Sequence, residues 1–165
     1  MTEQPEIRIA PFEPHHLGVV VTLSIRAWTP VFASLATAMP RPVFRAFYPN
    51  GWEARQKAEV EAVCHDPDTA VWIALIGETV AGYVGIKIHA EDAMGEIYII
   101  AVDPGHQRRG VGGALTAFAL DRMRQEGLSI AMVETGSDEG HAPARRAYES
   151  AGFTLWPVAR YFREL

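Results

Sequence analysis

Apolar residues follow two different spacings along this chain, and each spacing predicts a different element. A β-branched run at 97–102 is typical of a buried strand. The segment after it repeats its apolar residues every four positions, which is typical of an amphipathic helix: Val111, Leu115, Ala119 and Met123. Gly127 stands where glycine commonly ends a helix. We therefore predict a strand at 94–102, a turn, and a helix at 111–126.

The same alternation of strands and helices extends over the whole chain. Besides the segments above, we predict strands at 7–9, 69–75, 80–89 and 129–135, and a closing antiparallel pair at 153–156 and 159–162. Helices are expected at 14–28, at 52–64 and from Pro143 to Gly152, with short helical pieces where prolines interrupt 30–49. This order indicates one α/β (α+β) domain over 1–165, a mixed sheet with helices on both faces.

Composition narrows the possible functions. A chain of 165 residues with 48% hydrophobic and 21% charged residues is an ordinary globular domain. Its net charge of -5 disfavours nucleic acid as the main partner. Cys64 is the single cysteine, which excludes an internal disulfide and fits a reducing compartment. We expect a cytoplasmic protein without a membrane span, since the N-terminus is polar and no apolar run approaches about 20 residues. The histidines lack metal-ligand spacing, so no metal is expected.

The turn between the predicted strand 94–102 and helix 111–126 has the features of an anion site. It reads Gln107-Arg108-Arg109-Gly110-Val111-Gly112-Gly113. The first N–H groups of a helix have no intrahelical partner, and glycine lets a phosphate approach the backbone closely. No Lys-Ser/Thr follows the glycines, so the turn is not a Walker loop, and its glycine spacing is not that of a dinucleotide fingerprint.

Two motifs in order resemble the GNAT (Gcn5-related N-acetyltransferase) superfamily. The first is Gln-x-x-Gly-x-Gly after a strand ending in Ala-Val-Asp-Pro, which resembles the acetyl-CoA-binding motif of that family. The second is residues 141–153, where a helix carrying Tyr-Glu ends in Gly-Phe. The resemblance is specific from about Val71 to Phe162. It implies a mostly antiparallel sheet of about seven strands, splayed at the acetyl-CoA site.

The resemblance also implies an activity and a set of binding residues. The activity is acetyl transfer from acetyl-CoA to an amine of a small molecule or peptide, in a ternary complex without a covalent enzyme intermediate. An acyl-CoA-binding regulatory domain without turnover is the alternative. Backbone groups of Ala101 and Val102 would contact the pantetheine arm, and Gln107 to Gly113 the phosphates. Arg108 and Arg109 are candidates for phosphate pairing, with a solvated loop charge as the alternative for either. His141, where many members have asparagine, and Ala144 complete the predicted set, with an exposed loop histidine as the alternative for His141.

Amine acetylation requires a base and an acid. An alkylammonium with a pKa near 10 must lose a proton before it attacks a thioester, at a cost of about 4 kcal/mol at pH 7. Glu96, the acidic residue at the start of an apolar strand, is the candidate base, with a solvated strand-end residue as the alternative. Tyr148 matches the family tyrosine near the thioester sulfur and is the candidate acid. A core-packing tyrosine is the alternative for Tyr148.

The acceptor amine is not identified by the sequence. In the family, the N-terminal helices and nearby loops shape its site, which here indicates aromatic residues between Trp28 and Trp52 and the segment 89–94. Core packing is the alternative for those aromatic residues. Glu91 and Asp92 would favour a cationic acceptor if they line the cleft. Since family members often form dimers, a homodimer is also expected as a possibility.

Overall fold

The computed structural model describes residues 6–165, which fold into one mixed sheet with helices on both faces. The strands are β1 Ile7–Pro11, β2 Thr69–Ile76, β3 Thr79–His89, β4 Met94–Val102 and β5 Ile130–Val133. The helices are α1 Leu17–Ala38, α2 Arg41–Phe47, α3 Trp52–His65, α4 Val111–Gln125 and α5 Ala142–Ser150. Short 3-10 turns, such as Pro14–His16 and Pro104–His106, connect several of them. The predicted α/β architecture is confirmed.

The strands lie in the order in which they occur along the chain, β1-β2-β3-β4-β5. Neighbouring strands are antiparallel except β4 and β5, which are parallel and joined through α4. Two apolar clusters cover the two faces of the sheet. The first joins α4 to the sheet through residues such as Leu115, Ala119 and Ile97. The second joins α1 and α3 to the other face through Val20, Val60 and Tyr83.

The sheet opens between β4 and β5. The two strands pair from Met94 and Ile130 as far as Ile97 and Val133, where β5 ends. Strand β4 continues for five more residues to Val102, and no strand of the described chain pairs with these residues on that side. Because these residues extend the free edge, their outward backbone groups remain available to a ligand. The expected splay of the sheet is therefore present.

A bulge at Tyr98 changes which face of the sheet the following β4 side chains point to. Ile99 pairs with Gly85 and Ile97 with Ile86, so Tyr98 is the extra residue on β4. Without a bulge, Ile97 and Ile99 would face the same side of the sheet. Instead Ile97 packs with the α4 cluster and Ile99 with the α1 and α3 cluster. The β-branched sequence of this strand gave no signal for the extra residue.

Helix α1 is longer than the sequence analysis predicted. It runs to Ala38 with Pro30 inside it, and Phe32 beyond the proline is 6% exposed. Burial of Phe32 offsets the hydrogen bond that proline removes. With the turn before it, the helix forms a 25-residue segment, Pro14–Ala38, that is long and apolar enough to cross a bilayer on length and composition alone. A core helix meets the same criterion, and Val20 and Leu23 of α1 are buried against the sheet.

The predicted closing strand pair is wrong, and within residues 6–165 the sheet has five strands instead of about seven. Residues after Gly152 form no strand in the described chain. Pro157 lies in the middle of this segment and has no N–H to donate to a sheet. Trp156, Val158 and Tyr161 are more than 80% exposed, so burial does not drive pairing there. The segment is held instead by a ring contact between Phe162 and Phe47 of α2, with ring centroids 5.7 Å apart.

Candidate functional site

A cleft of about 1860 Å³ lies where β4 and β5 separate. Its walls come from α1, α3, the middle of β4, the segment after β5, α5 and the C-terminal segment. Glu96, Tyr98 and Ile99 of β4 line it together, because the bulge turns Ile99 towards the α1 and α3 side of the sheet. Tyr148 lines it from α5. The structure therefore brings the predicted base and the predicted acid to one cavity.

Glu96 is held in place by a histidine. Glu96 Oε2 lies 2.7 Å from Nε2 of His89, which stands at the end of β3. The Glu96 side chain is 16% exposed. A solvated strand-end carboxylate, the alternative reading of this residue, does not have these contacts. His89 was missed as a site residue in the sequence analysis. The signal available was a histidine and a glutamate flanking the short β3–β4 connection, where antiparallel pairing brings them together.

Tyr148 lies on α5 with its side chain half-buried. Burial raises the pKa of its phenol above the ordinary value near 10. The phenol therefore keeps its proton at neutral pH, as a general acid requires. The ring also packs edge to face on Phe153, with centroids 5.9 Å apart. Tyr148 therefore both packs on a neighbouring ring and lines the cleft.

The predicted anion loop joins the end of β4 to α4. Arg108 has a φ of 57° and Gly110 a φ of 86°, so the chain passes twice through the left-handed region. The first α4 hydrogen bond runs from Ala114 N to Gly110 O, at 2.9 Å. The N–H groups of the three residues between them, 111–113, consequently have no partner within the helix. They form the kind of helix N-terminus that binds phosphate groups.

The space around the loop fits a close-lying anion. A Cβ added at Gly113 would meet no heavy atom within 4 Å. A Cβ at Gly112 would be in ordinary contact with Val102 at 3.7 Å. The side chains of Arg108 and Arg109 are exposed beside this start of α4. The residues present therefore fit a phosphate-bearing ligand at this end of β4.

The free edge of β4 offers some of the predicted backbone groups. Asp103 N donates to Ala81 O of β3 at 2.8 Å, so Val102, one residue earlier, points its backbone outward. The Val102 carbonyl accepts a hydrogen bond from Gln107 Nε2 at 3.2 Å. Ala101 pairs with Tyr83, and its backbone is directed at β3. This arrangement does not favour the predicted contact between the Ala101 backbone and the pantetheine arm. Because backbone groups alternate in direction along a strand, those of Ile100 point towards the free edge, as those of Val102 do.

An ion pair between α1 and the end of β4 supports the loop. Arg26 Nη1 lies 2.6 Å from Asp103 Oδ2, and the other carboxylate oxygen accepts from Gly105 N at 2.8 Å. These contacts of Asp103 bind the turn before the anion loop to the rest of the fold. The partner, Arg26, gave no signal in the sequence.

His141 is part of a small polar cluster. Its Nδ1 lies 2.5 Å from Asp138 Oδ1, and Asp138 Oδ2 accepts from Ser34 Oγ of α1 at 3.2 Å. Burial alone would raise the pKa of the Asp138 carboxyl, but its hydrogen bonds and the nearby His141 hold it below the ordinary value. The contacts fix the turn before α5, which carries Ala144 and Tyr148. Cofactor binding by His141 and Ala144 remains a prediction.

The aromatic residues expected around the acceptor mostly pack on one another. Phe32 stacks on Trp52 with ring centroids 4.3 Å apart, and Phe44 contacts Tyr48 at 4.8 Å. Trp28, however, lines the cleft. Glu91 and Asp92 are exposed and are not among the residues that line the cleft, so they give no support to a cationic acceptor. Acidic side chains of other elements do line it: Glu59, Asp66, Glu134, Asp138 and Glu149.

Two further expectations concern metals and the cysteine. Among residues 6–165, no three His, Cys, Asp or Glu side chains are grouped so that they would hold a metal ion. Cys64 lies half-buried on α3, and burial raises the pKa of its thiol to about 11. A thiol with that pKa is a poor nucleophile at neutral pH. This agrees with transfer that does not pass through an enzyme thioester.

Comparison with known proteins identifies related sequences. The sequence profile described as "Acetyltransferase (GNAT) family" matches residues 37–153. A mycothiol acetyltransferase from Streptomyces scabiei is 29% identical over 140 residues, covering 72% of this chain and 45% of that protein. Its counterpart from Thermobispora bispora is 38% identical over 90 residues, covering 52% of this chain and 30% of that protein. The chain thus spans less than half the length of these curated relatives.

Comparison with solved structures identifies the same fold. The PaiA N-acetyltransferase of Thermoplasma acidophilum, solved with coenzyme A, has a TM-score of 0.69 at 15% identity, with 93% of each chain covered. The ribosomal-protein-S18-alanine N-acetyltransferase of Escherichia coli has a TM-score of 0.68 at 18% identity, covering 92% of this chain and 80% of that one. At such identities the likeness extends to the fold alone.

Proposed function

The chain belongs to the GNAT acetyltransferase family, and we propose that it transfers acetyl from acetyl-CoA to a primary amine within a ternary complex. The observation that carries this proposal is the meeting of Glu96 and Tyr148 in one cleft. Both side chains occupy the region where β4 and β5 part, and β4 leads from there to the anion loop. A base, an acid and a phosphate site are thus arranged along one strand and its neighbours.

The binding of acetyl-CoA is assigned to β4 and the start of α4. The N–H groups of residues 111–113 and the guanidinium groups of Arg108 and Arg109 would hold its phosphates. The outward backbone groups of Ile100 and Val102 would bind the pantetheine amides as an added strand does. When bound, the molecule supplies an activated acetyl group as a thioester. Gln107 then supports the loop by its hydrogen bond to the Val102 carbonyl.

The chain's own residues move two protons in the proposed reaction. Glu96 accepts the proton that the ammonium must lose before attack, directly or through water. The nitrogen–carbon bond then forms, and the nitrogen releases its second proton to solvent. The carbon–sulfur bond breaks, and Tyr148 donates its phenolic proton to the departing thiolate. The raised pKa of Tyr148 keeps that proton available before transfer. Cys64 takes no part, since its thiol is protonated at neutral pH.

The proposed acceptor is a small amine that is cationic in solution. Five carboxylates besides Glu96 line the cleft, against three cationic side chains, those of Lys87, Arg145 and Arg160. Asp66 and Glu134 pair with two of these cations, and Glu59 pairs with Arg55 of α3. The other carboxylates, Asp138, Glu149 and Glu96, carry the negative charge that favours a positively charged substrate. Several cleft residues are also aromatic, and an ammonium group binds favourably over such rings. Two proteins of the same fold, one solved with sisomicin and one with a bisubstrate analogue of CoA and acetylneamine, support an amine-rich acceptor.

The proposal is tested by measuring CoA release with a panel of amines. Wild-type protein is mixed with acetyl-CoA and one of a monoamine, a diamine, an aminoglycoside or a peptide with a free N-terminus. We expect turnover with at least one cationic member. Glu96→Gln and Tyr148→Phe should each lower kcat by at least 100-fold, within the usual contribution of acid–base catalysis. Turnover unaffected by either substitution would refute the assigned roles, and binding without release for any amine would favour the regulatory alternative.

A further inference from the structure

His89 and Glu96 form a diagonal pair across two antiparallel strands. Lys87 lies opposite Glu96 and Met94 lies opposite His89, so the side chains of His89 and Glu96 project from the same face of the sheet. Their contact is 2.7 Å between Nε2 and Oε2. The side chains are 32% and 16% exposed, so water competes for this contact only in part. Glu96 lines the cleft, and His89 contacts it from the end of β3.

The contact engages one oxygen of the carboxylate and leaves the other free. Since a carboxylate only accepts hydrogen bonds, His89 must donate from Nε2 to Oε2. That bond restricts rotation of the carboxylate, and among residues 6–165 no side chain is hydrogen-bonded to Oε1 of this cleft residue. We propose that His89 is the positioning residue of the reaction, holding Glu96 so that Oε1 receives the amine proton. This inference rests on the proposed function, in which Glu96 is the base.

Lys87, the cationic residue opposite Glu96, forms its ion pair with another carboxylate. Lys87 Nζ lies 3.0 Å from Asp66 Oδ2 of the segment after α3, and 4.1 Å from the centre of the Tyr98 ring. The pKa of Lys87 is raised, chiefly by its hydrogen bond to Asp66, so it keeps its charge there. His89 is therefore the side chain that contacts Glu96 directly. Glu91 and Asp92 lie in the turn that follows and are exposed.

The experiment is a double-mutant cycle in which kcat and KM are measured with acetyl-CoA and the panel amine that turns over fastest. The variants are His89→Ala, His89→Gln, Glu96→Gln and the His89→Ala/Glu96→Gln double variant. Glutamine keeps an N–H donor at about the reach of Nε2, so it serves as the conservative control. We expect His89→Ala to lower kcat on the order of tenfold with KM for acetyl-CoA unchanged, because misplacing a reacting group costs rate. His89→Gln should recover most of that loss.

The double variant separates positioning from a structural role. If His89 acts through Glu96, His89→Ala changes kcat less than twofold once Glu96 is glutamine. The inference would be overturned if His89→Ala lowered kcat equally in wild-type protein and in Glu96→Gln. It would also be overturned if His89→Ala and His89→Gln lowered kcat equally. Wild-type kcat in His89→Ala with a large loss in Glu96→Gln would overturn it while leaving the base assignment intact. Unchanged turnover in Glu96→Gln would overturn the base assignment, and the role of His89 with it.

A second readout does not depend on turnover. Nitrogen NMR of the His89 imidazole in the free protein should show a proton on Nε2, and the signal should shift in Glu96→Gln. A neutral ring protonated only on Nδ1 would contradict donation to Glu96. A melting temperature of His89→Ala within about 2 °C of wild type would confirm that any loss of kcat is not due to unfolding.

Discussion

Arg26 of α1 and Asp103 at the end of β4 form an ion pair of 2.6 Å across 77 positions of sequence. Asp103 is 10% exposed at its side chain, and its second oxygen is bound to Gly105 N in the turn that precedes the anion loop. The pair connects helix α1 to the turn before the loop that would bind phosphate. Its main consequence should therefore be for ligand binding.

Arg26→Ala is predicted to weaken acetyl-CoA binding more than it weakens the fold. The arginine is 56% exposed, and the buried Asp103 keeps its hydrogen bond from Gly105 N, so the loss of stability should be about 1 kcal/mol. A looser turn would misplace the first N–H groups of α4, so we expect KM for acetyl-CoA to rise about threefold to tenfold with kcat nearly unchanged. Steady-state kinetics and thermal melting measure the two effects.

The matched control is Arg124→Ala. This arginine pairs with Asp121 at the same 2.6 Å, but on the exposed surface of α4. KM for acetyl-CoA should stay at the wild-type value in this variant. A rise in KM as large as that of Arg26→Ala would show that the ion pair at Asp103 has no special role.

Ser24 and Tyr83 form a hydrogen-bonded pair inside the domain, and the two partners should not be equivalent. Their oxygens are 2.8 Å apart, and Ser24 Oγ also donates to Val20 O at 2.7 Å. The tyrosine hydroxyl therefore donates to Ser24. Tyr83→Phe removes one bond and leaves no unpaired donor, at a cost of about 1 kcal/mol, whereas Ser24→Ala leaves a buried hydroxyl unsatisfied, at about 1–3 kcal/mol.

Urea unfolding of the two variants measures the difference. The free energy of unfolding should fall more for Ser24→Ala than for Tyr83→Phe. The reverse order would mean that the assigned donor direction is wrong. Burial raises the pKa of Tyr83 far above its ordinary value, so the order should hold at any pH below 9.

Cys64 is predicted to react slowly with alkylating reagents. Its pKa is raised from 9.0 to about 11, a difference of 2, so the thiolate fraction at neutral pH falls about 100-fold. Iodoacetamide labelling at pH 7.5 should therefore proceed at least 100-fold more slowly than with a free cysteine peptide. Cys64→Ser should keep wild-type kcat. Rapid labelling, or loss of turnover in that variant, would reopen the question of a covalent intermediate.

The sequence was most informative where a local pattern decides the structure. The four-residue spacing of α4 and the glycine after it predicted that helix to within one residue, because the same residues that set the period also form its buried face. The position of the turn between β4 and α4 was predicted for a similar reason, since Gly110 adopts the positive φ that this turn requires. Anion binding by this loop remains a prediction.

Features that depend on strand register, or on residues far apart in sequence, were missed. The pairing of His89 with Glu96 requires the register of β3 and β4, and the bulge at Tyr98 appears only when that register is known. The helix continues past Pro30 because Phe32 is buried against Trp52 and Tyr48, which lie 16 or more residues away. The C-terminal segment misled because its apolar residues resemble strand residues, although they remain exposed.

The phosphate site is tested by titrating acetyl-CoA into wild-type protein, Gly113→Ala and Gly18→Ala in a calorimeter. Both glycines lie in the first turn of a helix, and a Cβ at either would meet no atom within 4 Å. Alanine should therefore be tolerated or slightly stabilising for the fold at both positions.

Only the methyl at Gly113 would enter the space assigned to the phosphates. We predict saturable binding to one site in wild-type protein and in Gly18→Ala, and binding at least tenfold weaker in Gly113→Ala with an unchanged melting temperature. Equal affinity in all three proteins would place acetyl-CoA elsewhere, and the absence of binding to wild-type protein would contradict the proposed function itself.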